Sequence, residues 1–135
     1  MTDKYIRELI EFVDTIIKLV KKTENIFRKS KKLETEGYND DIIESVFGIG
    51  EDLTNIKRIL INSKNNPQSI KNLGGHDRFW IWSLNGHIEN LIDIDDERLD
   101  KESRLYENLK LIITYSLKIR DHSHKILFPG SPRWY

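Results

Sequence analysis

The sequence predicts an all-α protein, an up-and-down four-helix bundle with a long N-terminal helix and an irregular, aromatic C-terminal tail. Apolar residues recur at alternating steps of three and four along four segments, and Gly, Asn or Pro lies between several of them. The chain of 135 residues has the usual length of one compact domain. We therefore expect residues 1–135 to form a single helical-bundle domain.

The first helix is predicted to start at caps Thr2 and Asp3 and to end near Glu36. Two adjacent apolar rows form a wide stripe, which is typical of a helix that packs against two others. The rows are Ile6, Ile10, Val13, Ile17 and Val20, and Tyr5, Leu9, Phe12, Ile16 and Leu19. The stripe weakens at Thr23 and Glu24.

Positive charge is concentrated in the last turns of this helix, at Lys21, Lys22, Arg28, Lys29, Lys31 and Lys32. These side chains either form a solvated helix end that complements the negative end of the helix dipole, or make a local patch for phosphates or an acidic partner.

The second helix is predicted to begin at Asn39 to Asp41, after a stop at Gly37. Its apolar seam is the most regular in the chain: Ile42, Val46, Ile49, Leu53, Ile56 and Leu60. Gly48 and Gly50 each cost about 1 kcal/mol relative to Ala inside a helix. Their presence favours close helix packing or a kink over a ligand on bare backbone. A loop is predicted from Asn62 to Ser69.

Residues 73–94 have two structural interpretations. Asn85-Gly86 between apolar flanks is a hairpin signal, and residues 79–82 have high strand propensity. The helical interpretation is favoured, with Asp77 as N-cap and Gly86 as a close-contact position. Its core row is Trp80, Leu84, His87, Leu91 and Ile94, flanked by Ile81 and Ile88.

The last helix is predicted from about Asp100 to Leu127. Its main row is Leu105, Leu109, Ile112, Ser116 and Ile119, with Tyr115, His122 and Ile126 beside it. Pro129, Gly130 and Pro132 prevent the tail from continuing the helix. The tail ends in Trp134 and Tyr135, which we expect to pack on the bundle or on a partner.

Composition excludes several classes of function. Lys and Arg (22) balance Asp and Glu (22), so no net field attracts nucleic acid or an anionic membrane. The absence of cysteine excludes disulfides, thiolate catalysis and thiolate metal sites, and it fits a reducing compartment. No apolar run approaches the roughly 20 residues that span a bilayer. We expect a soluble, cytoplasmic protein with no membrane partner.

Two polar constellations are weak candidates. Gly74, Gly75, His76, Asp77 and Arg78, with Lys71 nearby, resemble a phosphate-binding helix start or an ordinary capped loop. The histidines His76, His87, His122 and His124 lack metal-ligand spacing, because residues two apart diverge on a helix and no Glu-x-x-His pair is present at His87 or His122. No metal or cofactor is therefore predicted.

A third constellation is Arg120-Asp121-His122-Ser123-His124. It resembles the Arg-polar-x-x-x-His signature of the helical HEPN ribonucleases, dimeric bundles of toxin and antiviral systems, in which an Arg holds phosphate and a His moves protons. The resemblance covers only these residues. It departs from the signature because His124 is four residues after Arg120, Lys125 occupies the fifth position, and no helix follows. The alternative is a polar helix end.

The aromatic residues Phe79, Trp80, Trp82 and Trp134 give the strongest functional hint. Residues two apart lie about 200° around a helix, so Trp80 and Trp82 cannot both be buried on one face. The outward one is either covered by the tail or anchors a partner chain or base.

The sequence assigns no catalytic residue and favours binding over catalysis. It predicts a small protein-interaction module, self-associating or part of a larger assembly. The alternative is a nucleotide- or nucleic-acid-binding protein or HEPN-like ribonuclease, using Arg78 or Arg120 with the basic end of the first helix.

Overall fold

The structure, a computed structural model, describes residues 3–29, 40–92 and 104–130. It contains four long helices: α1 (Asp3–Lys29), α2 (Asp40–Asn65), α3 (Gly75–Ile92) and α4 (Arg104–Leu127). The prediction of an all-α protein is confirmed. The predicted end of the first helix at Glu36, the start of the last at Asp100, and the tail residues Trp134 and Tyr135 lie outside the described residues.

In each pair of consecutive helices, and in the pair α1 and α4, the contacting residue numbers rise along one helix as they fall along the other. The joining pairs are Asp14–Lys57 and Arg28–Phe47 (α1–α2), Gly48–His87 and Asp52–Ser83 (α2–α3), Arg78–Phe128 and Asn85–Arg120 (α3–α4), and Tyr5–His122 and Phe12–Tyr115 (α1–α4). The two helices of each of these four neighbouring pairs are therefore antiparallel, and buried apolar side chains from all four helices form one core.

The seams predicted for α2 and α4 are buried as expected. In α2, all six seam residues from Ile42 to Leu60 are buried, as are all five residues of the main row of α4. In α1 the stripe continues through Thr23, which is fully buried. The Thr23 hydroxyl donates a hydrogen bond of 2.9 Å to the carbonyl of Leu19, one turn earlier. This bond satisfies the hydroxyl group, so a polar residue is tolerated in the core.

The two glycines of α2 lie at close helix contacts, as predicted. A Cβ atom at Gly48 would clash with Nε2 of His87 on α3. A Cβ atom at Gly50 would lie 3.0 Å from Oε1 of Glu24 on α1. Close approach of α1 and α3 to α2 therefore accounts for both glycines, and α2 is one continuous helix through them.

The hairpin alternative for residues 79–92 is wrong, because α3 is helical throughout. The helix starts at Gly75, two residues before the predicted N-cap. Asp77 lies in the first turn, where its Oδ2 accepts a 3.1 Å hydrogen bond from the amide of Gly74. This is the back-bond of a capping box, in which the third helical residue caps the amide at the helix start.

The buried row of α3 is also rotated relative to the prediction. The buried apolar residues are Ile81, Leu84, Ile88 and Leu91, whereas Trp80 and His87 are only partly buried. Because α3 packs against both α2 and α4, the middle of its buried stripe faces the space between these two helices. The predicted row coincides with only one edge of this stripe.

The predicted loop after α2 is partly wrong. The helix continues to Asn65, and residues Pro67–Asn72 form a 3-10 helix with Pro67 at its first position, where a missing amide hydrogen costs nothing. None of the described helices has the length and apolar character needed to cross a membrane.

Candidate functional site

The outward face of α3 carries exposed aromatic side chains. Trp82 is 56% exposed and Phe79 is 46% exposed. Their ring centroids lie 6.0 Å apart, and Phe79 also contacts Trp80, with centroids 5.3 Å apart. Trp80 packs against the core instead. The prediction that one of the two tryptophans must point outward is confirmed for Trp82, whereas its proposed covering residue Trp134 lies outside the described residues.

Gly75 and Gly86 share this face with Phe79 and Trp82, since all four fall within about 60° of each other on a helix with 100° per residue. A Cβ atom at either glycine would meet no atom of the described residues within 4 Å. The predicted close contact at Gly86 is therefore not made by any described residue. We call Gly75, Phe79, Trp82 and Gly86 the aromatic face.

The Gly74–Arg78 segment does not present its cation at the helix start. The guanidinium of Arg78 lies 4.7 Å from the centroid of the Phe128 ring, beyond the end of α4. The carboxylate of Asp77 accepts the hydrogen bond of the Gly74 amide, so that amide is not free for an anion. The negative charge of Asp77 would also repel an approaching anion. The proposed anion site stays a prediction with little geometric support. The ring of His76 contacts that of Trp80, with centroids 6.4 Å apart.

The four histidines lie in separate environments. His122 hydrogen-bonds the hydroxyl of Tyr5, and His87 lies beside Asp52. His124 is buried, with its ring 6.0 Å from that of Phe128. Within residues 3–29, 40–92 and 104–130, no three His, Asp or Glu side chains are grouped to hold a metal ion.

The HEPN-like residues of α4 take part in packing between α3 and α4. Arg120 donates a 2.6 Å hydrogen bond through Nη1 to Oδ1 of Asn85, whose amide nitrogen in turn donates to Glu89 at 3.0 Å. A buried amide and a guanidinium satisfy each other in this network. His124, at 7% exposure, offers little surface to an RNA substrate. The ribonuclease roles of Arg120 and His124 stay predictions.

One polar cluster was missed by the sequence analysis. Asp52 is only 3% exposed, and its Oδ2 accepts a 2.9 Å hydrogen bond from the Ser83 hydroxyl. Nε2 of His87 lies 3.6 Å from the same oxygen, and the His87 ring covers Gly48. The sequence does contain a signal for this cluster. Ser45 and Asp52 lie seven residues apart on the same helical row as the apolar residues Ile49 and Ile56. Polar residues on a core row indicate a buried network.

Burial shifts the pKa values of both Asp52 and His87 in this cluster. It raises the pKa of Asp52 to about 7, against a smaller lowering by the Ser83 hydrogen bond. Burial also lowers the pKa of His87. Ser83 donates to Asp52 and not to His87, so the three residues lack the nucleophile-to-base hydrogen bond of acyl-transfer enzymes. The cluster is thus a structural link between α2 and α3.

A cavity of about 430 Å³ opens beside His87, lined also by Asp41, Glu44, Ser45 and Asn90. Its acidic, polar lining lacks the apolar walls that usually hold an organic ligand.

Compared by sequence and by structure, the chain matches no protein-family model, no curated protein and no solved structure.

Proposed function

We propose that the protein is a self-associating interaction module and that two copies meet through the aromatic face of α3. The observation that carries this proposal is the exposure of Trp82 and Phe79 side by side on one helix face. Large aromatic side chains are costly to leave in water and are enriched among the anchors of protein interfaces. The lack of cysteine fits action in a reducing compartment such as the cytoplasm.

A second copy is the occupant that this face fits best. Trp82 and Gly86 are one helical turn apart, so a two-fold axis at the height of residue 84 would place each Trp82 over the Gly86 of the other copy. Isologous contacts require this kind of self-complementarity, in which residue i meets residue j and j meets i. Gly86 supplies a notch without a side chain, and its intrahelical cost of about 1 kcal/mol has no compensation among the described residues.

The size of the face sets the expected strength. Aromatic side chains bury about 150–250 Å² each, and about half of Phe79 and Trp82 is exposed. Two copies would then bury roughly 400 Å² of aromatic surface, well below the roughly 1,200 Å² of a stable interface. The aromatic face would form the centre of a larger contact, and we expect a concentration-dependent dimer.

The first prediction concerns this dimer. Trp82→Ala should weaken self-association about tenfold or more, as expected for a central aromatic anchor. The matched control is Leu111→Ala, which removes an apolar side chain that is 41% exposed on α4 and should leave the dimer unchanged. Sedimentation equilibrium from about 1 to 200 μM, a range that spans micromolar affinity, measures both. A wild-type monomer across this range, or equal weakening by both variants, would contradict the proposal.

The nucleotide or nucleic-acid alternative has less support from its predicted residues. Arg78 packs on Phe128 and Arg120 hydrogen-bonds Asn85, so both cations have partners inside the fold. A salt titration against single-stranded RNA remains the direct comparison, because binding through phosphates weakens steeply with salt.

A further inference from the structure

A second cavity, of about 520 Å³, lies between the last turns of α1 and the first turns of α4. Its lining differs from that of the cavity beside His87. Lys22 and Arg104 bring positive charge from two different helices, Asn25 and Asn108 add amide groups, and Leu19 and Ile26 form an apolar wall. We call these six residues the α1–α4 pocket.

The cations of this pocket have no acidic partner in the described part of the chain. Lys22 and Arg104 take part in no ion pair there, and Asn25 and Asn108 make no side-chain hydrogen bond there. On α1, the carboxylate of Glu24 lies beside Gly50 of α2 and does not line the pocket. Two positive charges at one cavity repel each other, and an anion bound between them would remove that repulsion.

Two other α1 cations have contacts elsewhere. The guanidinium of Arg28 lies over the Phe47 ring of α2, 5.2 Å from its centroid. Lys21 interacts electrostatically with Glu24 and does not line the pocket. Among the described basic residues at the end of α1, Lys22 is the one that lines the pocket.

The remaining surfaces define the kind of anion. Leu19 and Ile26 pack against the core and form an apolar wall, while the two amides can both donate and accept hydrogen bonds. The volume falls in the range of roughly 300–1,000 Å³ that is usual for small-molecule sites. We infer that the α1–α4 pocket binds a phosphorylated small molecule of mononucleotide size, with its phosphate at Lys22 and Arg104 and its ring on the apolar wall.

The test is a calorimetric titration of the full chain with AMP, adenosine and inorganic phosphate. We expect AMP to bind more tightly than inorganic phosphate and adenosine to bind least, because the phosphate supplies the charge-assisted hydrogen bonds. Lys22→Gln and Arg104→Gln should each weaken AMP binding about tenfold, the effect of losing about 1.4 kcal/mol. Asn108→Ala should weaken it less.

Lys21→Gln is the matched control, since it removes the same charge from the adjacent residue outside the pocket. It should leave AMP affinity within about twofold, because an exposed charge outside the site is screened by salt. Circular dichroism melting of each variant checks that the fold is kept. The inference is overturned if AMP does not bind at millimolar concentration, if adenosine binds as tightly as AMP, or if Lys21→Gln weakens binding as much as Lys22→Gln.

Discussion

Asp52 shows how a single buried carboxyl group makes stability depend on pH. Its pKa in the folded protein is raised to about 7 from an ordinary value near 3.8, mainly by burial. A raised folded-state pKa means that the native state holds a proton which the unfolded chain has lost. The stabilising contribution of the protonated group is complete below pH 3.8 and is lost as the pH rises through about 7.

Asp52→Asn is therefore expected to stabilise the protein at pH 8 and to have little effect at pH 4. The asparagine keeps an oxygen that accepts the Ser83 hydrogen bond but carries no charge to desolvate. We expect a gain of about 2 kcal/mol at pH 8, less than the full shift implies, because solvent near His87 screens part of the charge.

Urea unfolding at pH 4, 6 and 8 measures this gain. Glu44→Gln, which neutralises an exposed carboxylate on the same helix, should produce no comparable rise with pH. A gain for Asp52→Asn that is constant with pH, or a loss at pH 8, would refute the proposed cost of ionisation.

The backbone of Gly48 on α2 lies in close contact with the His87 ring on α3. A methyl group at residue 48 would clash with the imidazole, so the ring must leave its place beside Asp52. Gly48→Ala gains about 1 kcal/mol of helix propensity but displaces this ring. The two effects oppose each other, and a double-mutant cycle separates them.

We predict that Gly48→Ala stabilises the His87→Ala variant by about 1 kcal/mol, because the space above residue 48 is then open. In the wild-type background the same change should be neutral or destabilising. Thermal unfolding of the four proteins gives the coupling energy. A coupling below about 0.5 kcal/mol, the usual limit of additivity, would mean that the ring moves away without cost.

At the scale of the element, α3 differs from the other helices. It carries three charged residues among 18, namely Asp77, Arg78 and Glu89. α1 and α4 carry many more, and exposed Lys and Glu solvate their outer faces. The outward side of α3 instead combines aromatic rings with Gly75 and Gly86. α3 is therefore the helix least suited to face water on its free side.

Gly86→Ala should raise the stability of the dilute monomer by about 1 kcal/mol, because an added Cβ is unobstructed and alanine favours the helix. If α3 faces a second copy, the same methyl group should weaken the dimer by filling the notch opposite Trp82. Thermal melting at low micromolar concentration and sedimentation at high concentration measure the two effects separately. A more stable monomer with undiminished self-association would place the interface elsewhere.

At the scale of the whole molecule, the two proposed binding surfaces lie on different helices. The aromatic face is on α3, whereas the α1–α4 pocket lies between the two helices at the chain ends. The Asp52 cluster joins α2 to α3, and the Asn85–Arg120 bond joins α3 to α4. The two proposed binding surfaces can therefore be tested independently.

The sequence by itself determined the helical class, the buried seams of α2 and α4, the close contacts at Gly48 and Gly50 and the outward direction of one tryptophan. These features follow from the period of the α-helix, which fixes the direction of each side chain around its own axis. The predicted N-cap of α3 was three residues too late, because Asp77 caps from within the first turn and not from before it. The 3-10 helix was missed because its Asn, Pro and Ser residues are also typical of loops.

Only the tertiary structure decided which polar groups meet. Ser83 reaches Asp52 across 31 residues, Arg120 reaches Asn85 across 35, and Lys22 shares a pocket with Arg104 from the far end of the chain. Periodicity within a helix contains no information on which neighbour packs against it, at what height and with what rotation. The neighbour, height and rotation of each helix are set by the packing of whole faces. As a result, Arg120 and His124 face the interior, whereas Phe79 and Trp82 are exposed to solvent.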